Sequence, residues 1–201
     1  MKRSKVIIIA GVNRMDDSGS IQTEHIMETY LKYLENVLTV ASNQKDKLER
    51  LYTMMDKKNT GAIHIYGFGR SGSAALSLAI RLRHFCEFLP PVWWVGDQVR
   101  MPICQGDVVI LFSSSGKREE VKGVADKAKK VGATIVLITA QRESQIGADA
   151  KETFVLPTLK ETFVYGGGDF ELAAYLLQEI IVAEIGTRYN IPKDMVDKYH
   201  V

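Results

Sequence analysis

Cysteine is scarce: the 201 residues hold two, Cys86 and Cys104. Neither sits in CxxC or CxxH spacing, which argues against a disulfide framework and a zinc site and points to reduced thiols in the cytoplasm. No stretch approaches the roughly 20 apolar residues of a membrane span. The apolar run at residues 6–10, behind Lys2-Arg3-Ser4-Lys5, is about half the length of a secretory signal core. Neither charge sign dominates, with 26 Lys and Arg against 24 Asp and Glu for a net +2. Nucleic acid and membrane are therefore not expected partners. With 46% hydrophobic and 25% charged residues, disordered, collagen-like and coiled-coil classes are excluded. The length fits one domain, able to bury roughly 70% of its unfolded surface.

What is present is a change of period along the chain. Residues 6–10 read as a short strand closed by Gly11, with a polar linker over 13–20, or equally as a loose extension; either way 1–20 is set apart from a domain over 21–201. From Ile21 the pattern is helical: Met27, Tyr30, Leu31, Leu34, Leu38 and Ala41 recur at spacings of three and four, one apolar stripe. A second helix is expected over 44–56. Short β-rich runs then appear at 62–66, 92–95, 108–112, 134–138 and 153–156. Helical patterns fall between several of them, notably 119–130 with Gly132 as C-cap. A long helix is expected over 169–189, and Pro192 opens a short last one. Alternation of this kind predicts an α/β fold with a mostly parallel sheet of five strands covered on both faces. Its ligand belongs outside the carboxyl ends of the strands.

Two loops lie at such ends. The first is Gly67-Phe68-Gly69-Arg70-Ser71-Gly72-Ser73. Its glycines allow a tight turn into a helix N-terminus, where free amides face an anion. It lacks the GxxxxGK[ST] of a P-loop. No acidic residue closes the next strand cleanly, so a nicotinamide cofactor is not expected. The second loop is Ser113-Ser114-Ser115-Gly116-Lys117-Arg118. Three hydroxyls, a helix start and two cations suit a phosphate monoester. The plain alternative is that Ser115 caps the helix and both cations sit in solvent.

The pair Gly67-x-Gly69-x-Ser71 and Ser113-x-Ser115-Gly116 resembles the sugar isomerase (SIS) domain, a three-layer α/β/α sandwich. Within that superfamily the chain resembles the 6-phospho-3-hexuloisomerase family. That family's Gly-Arg-Ser-Gly loop is matched by Gly69 to Gly72, and its Ala-x-Arg-Leu-x-His helix by Ala79 to His84. Val95-Gly96-Asp97 stands near its Val-Gly-Glu, and Phe170-Glu171 matches its Phe-Glu pair. His200 falls where the family has a near-terminal histidine. The departures are Lys117 and Arg118 in place of Glu-Thr, Asp97 in place of glutamate and Tyr199 in place of arginine.

The resemblance implies interconversion of 3-hexulose 6-phosphate and fructose 6-phosphate through an enediol, without metal or other cofactor, in a homotetramer. It implies Glu171 as the base and His200 as the acid or oxygen polariser. Substrate contacts fall to Gly69, Arg70, Ser71, Ser113, Ser114, Ser115, Gly116 and Arg118. His64 and His84 are expected to be structural. A non-catalytic phosphosugar sensor, or another aldose–ketose phosphate isomerase such as a phosphoheptose isomerase, are the other readings of the same loops.

Overall fold

The computed structural model describes residues 23–161 and 168–198. Residues 6–10 and the rest of the 1–20 extension lie outside them, as does His200. In order, the chain forms α1 (Thr23–Ser42), α2 (Lys45–Met55), β1 (Ile63–Gly67), α3 (Gly69–Arg83), β2 (Val92–Trp94), β3 (Val108–Phe112), α4 (Glu119–Val131), β4 (Thr134–Thr139), β5 (Glu152–Val155), α5 (Gly168–Arg188) and α6 (Met195–Lys198). The strands make one sheet in the order β2-β1-β3-β4-β5, and every neighbouring pair is parallel.

Strands buried on both faces need no polar alternation, and all five residues of β3, Val-Val-Ile-Leu-Phe, are buried. Successive side chains point to opposite faces. Val108, Ile110 and Phe112 pack with α1, α2, α3 and α5, while Val109 and Leu111 pack against α4. The result is the three-layer α/β/α sandwich. Gly132 ends α4 in the left-handed conformation, φ 79°, as its place after the helical pattern predicts.

The apolar stripe of α1 divides between two faces. Tyr33, Val37 and Ala41 face the core, whereas Met27, Leu31 and Leu38 are 61%, 62% and 47% exposed. The helix is apolar on two sides, and spacing alone does not say which side meets the sheet. Tyr33 settles the choice: its buried hydroxyl reaches the Asp169 carbonyl oxygen at 2.7 Å and that of Pro157 at 2.9 Å.

The path from β1 leads outward through α3 to β2, and that from β3 leads the opposite way through α4 to β4. The carboxyl ends of β1 and β3 therefore part at a topological switch point, which opens a crevice between the two loops.

Candidate functional site

Close packing of glycine on glycine shapes the first loop. A Cβ on Gly67 would fall 2.7 Å from the Ser71 carbonyl oxygen, and one on Gly72 would fall 2.8 Å from that of Gly67. The first turn of α3 thus sits directly on the end of β1. Gly69 takes φ 61° at the turn itself, a conformation that penalises any side chain.

The second loop is held from behind. Gly116 has φ 62°, and a Cβ there would meet Ser144 at 2.4 Å. The Ser114 carbonyl oxygen accepts hydrogen bonds from the Thr139 hydroxyl at 3.1 Å and the Ala140 amide at 3.0 Å. The Ile146 amide donates to Gly116 at 3.1 Å. Ser115 does not cap α4: the N-cap is Arg118, and no side chain caps the helix. Phe68 stands likewise before α3 without a side-chain cap. Both helix starts keep amides for an anion.

Between the loops lies a pocket of about 390 Å³, lined among others by Gly69, Ser71, Ser113, Ser114, Ser115 and Arg118. The Ser113 hydroxyl is buried and has no hydrogen-bond partner among the described residues, an arrangement that costs about 1–3 kcal/mol unless a ligand satisfies it. Arg118 lays its guanidinium 4.8 Å from the centre of the Phe68 ring and pairs with Glu120 at 2.9 Å. This cation–π contact ties the two loops together across the pocket. Phe68 and Gln141, which also line it, were not legible in the sequence as site residues. Phe68 is an unremarkable loop aromatic, and Gln141 reaches the pocket from the turn after β4.

Lys117 is exposed and lines a neighbouring cavity of about 400 Å³ that shares Ser115 and Gln141 with the first. Gly116 shapes the turn. Arg70 is not among the lining residues; its guanidinium turns to Glu171, Nε to Oε2 being 3.7 Å. Glu171, in the first turn of α5, accepts a hydrogen bond from the Ser71 hydroxyl at 2.9 Å. Its side chain is 13% exposed, and among the described residues Oε2 is buried without a hydrogen bond. A carboxylate at a helix start is favoured by the helix dipole. Ser71 thus lines the pocket and holds the carboxylate at once.

At the other end of the sheet, His64 is wholly buried. Its Nε2 lies 3.0 Å from Asp107 Oδ2, which also accepts the Cys104 amide at 2.8 Å. Burial lowers the His64 pKa from its ordinary value near 6.5, with the Asp107 hydrogen bond opposing. Among the described residues no group of three or more His, Cys, Asp or Glu is placed to hold a metal ion, and no helix is long and apolar enough to cross a membrane.

Fold and loops together define a parallel α/β domain with an anion-suited crevice at its switch point, and comparison with known proteins supplies the family. The SIS domain model matches residues 57–177, more than half the chain, and the chain belongs to that family. Among curated relatives, the 3-hexulose-6-phosphate isomerase of Methanocaldococcus jannaschii is 31% identical over 156 residues, covering 78% of this chain and 83% of its own. A solved Methanococcus jannaschii protein, whose structure infers the molecular function of a 3-hexulose-6-phosphate isomerase, superposes with a TM-score of 0.77 at 28% identity. That match covers 86% of this chain and 98% of the other. The NanR protein of Vibrio vulnificus, complexed with ManNAc-6P, shares the fold with a TM-score of 0.69 at 21% identity, covering 88% of this chain and 67% of its own.

Proposed function

We propose that the protein is a sugar-phosphate isomerase that interconverts 3-hexulose 6-phosphate and fructose 6-phosphate. The observation that carries this reading is Ser71, which lines the two-loop pocket and presents its hydroxyl to Glu171. Phosphate and base are thereby joined through one side chain. The phosphate binds the uncapped amides and the hydroxyls of Ser113, Ser114 and Ser115, with Arg118 adding charge. Glu171 takes the proton from C2 of the 3-ketose. The C–H electron pair forms the C2–C3 double bond, the carbonyl oxygen gains a proton, and the enediol results. Reprotonation at C3 and loss of the O2 proton give the 2-ketose, with no atom gained or lost. The developing oxygen charge needs a donor, a role that the family resemblance gives to His200. Neither step requires a metal.

The same reading makes the chain a cytoplasmic homotetramer. The exposed Met27, Leu31 and Leu38 of α1 and Leu76 and Ile80 of α3 form apolar surface of the kind that subunits cover.

The test is a direct assay on 3-hexulose 6-phosphate in deuterated water, followed for loss of the C2 proton and appearance of fructose 6-phosphate. Binding of fructose 6-phosphate with no turnover would instead make the protein a phosphosugar sensor. Lys117 and Arg118, in place of the family's Glu-Thr, favour that second reading. Turnover of a different aldose–ketose phosphate pair would keep the isomerase and change its substrate.

A further inference from the structure

Arg70 stands between two anion-binding features and, as its side chain lies, serves only one of them. Its neighbours Gly69 and Ser71 both line the phosphate pocket. Its own guanidinium turns away, 3.7 Å from Glu171 Oε2, while the side chain remains 57% exposed. Among the described residues Oε2 is buried and accepts no hydrogen bond, and this cation is paired with it. The other oxygen, Oε1, is held independently by Ser71 at 2.9 Å. The carboxylate would thus keep its place if Arg70 left.

We propose that Arg70 is a positioning residue that exchanges one anion for another: it pairs with Glu171 until the substrate's phosphate enters, then turns to the phosphate and frees Oε2 to take the substrate proton. A pair 3.7 Å long whose guanidinium is more than half exposed is weakly held on the arginine's side. A phosphate offers a guanidinium two parallel charge-assisted hydrogen bonds, and is the stronger partner. The backbone of Arg70 is fixed in the first turn of α3, so only its long side chain has to move. Binding energy from the non-reacting end of the sugar is spent on arming the base at the other end. The inference rests on the isomerase reading and adds to it that phosphate is an activator as well as a handle.

The experiment supplies the substrate in two pieces. D-Fructose, which lacks the phosphate, is incubated in deuterated water with the full-length protein, with and without phosphite dianion, and exchange of its C3 hydrogen is followed by NMR. Phosphite is expected to accelerate exchange in the wild type by about tenfold or more, a change of about 1.4 kcal/mol or more in the barrier. In Arg70→Ala the unstimulated exchange rises about threefold or more, because nothing holds Oε2, and the phosphite effect falls below about twofold. Arg70→Lys keeps part of the phosphite effect. A structural role or a purely phosphate-binding role for Arg70 moves the unstimulated rate down or not at all, and either result overturns the proposal. So does equal phosphite acceleration in wild type and Arg70→Ala. No phosphite acceleration in a wild type that does isomerise 3-hexulose 6-phosphate overturns the exchange while leaving the isomerase intact. Failure to turn over 3-hexulose 6-phosphate overturns the isomerase itself, and this inference with it.

Discussion

Glu171 receives Ser71 on one oxygen and Arg70 on the other, so its charge can be removed without emptying its surroundings. Glu171→Gln keeps the side chain's shape and an oxygen for the Ser71 hydroxyl. Turnover should fall by about 10²- to 10⁴-fold, the span expected for loss of a general base. Fructose 6-phosphate binding, followed calorimetrically, should be retained or somewhat tightened, because the loops are untouched and Arg70 is released from its pair with Glu171. Retained activity would remove Glu171 from the chemistry. His64 makes a separate prediction at the same scale. Burial favours its neutral form, so its pKa in the fold lies below the ordinary value near 6.5. The unfolded chain therefore binds the proton more readily. The stability that neutral His64 contributes is full above about pH 6.5 and is lost as the pH falls below it. In His64→Gln, denaturation midpoints between pH 7 and pH 5 should fall less steeply than in the wild type. An unchanged slope would show that His64 does not set it.

The two pocket loops are strand–turn–helix units whose turns are set by the backbone. Gly116 cannot carry a side chain without strain, since its φ is 62° and a Cβ would collide with Ser144. Gly116→Ala should destabilise the protein by at least about 1–2 kcal/mol, measured by urea unfolding. It should also weaken fructose 6-phosphate binding as Ser113 and Ser115 lose their alignment; unaltered affinity would show that the turn is not part of the site. This unit was legible in the sequence, because serine, glycine and a following helix act through neighbours a few residues away. The partner of Arg70 was not, because Glu171 meets it across the fold. Which side of α1 meets the sheet was not legible for a related reason. Period 3.6 reveals an apolar face, but with Tyr33 and Val37 on one side and Leu31 and Leu38 on the other, only the tertiary contact at Asp169 selects between them.

For the whole molecule, the five parallel strands follow from the alternation of β-rich and helical runs, since parallel neighbours require crossovers. Which helices share a layer does not follow: α1, α2, α3 and α5 lie on one face and α4 on the other. The crowded layer also carries the exposed residues of α1 and α3. If these meet other subunits, Leu31→Glu should yield a smaller species by light scattering with the circular dichroism of the wild type retained. An unchanged mass would place the interface elsewhere or exclude an oligomer.

Ser71 and Glu171 are 100 residues apart in the chain, and that separation sets an order of events at the ribosome. Synthesis at about 5–20 residues per second makes the serine loop roughly 5–20 s before the carboxylate. The segment carrying both anion-binding loops and all five strands is thus made before α5, whose Gln178 amide donates to the Ala74 carbonyl oxygen at 2.8 Å and whose Phe170 and Leu177 join the core. Docking α5 adds its face to the core and brings Glu171 to Ser71 in one step. A nascent chain therefore lacks the Glu171 carboxylate beside its first loop until the fold that restrains it closes.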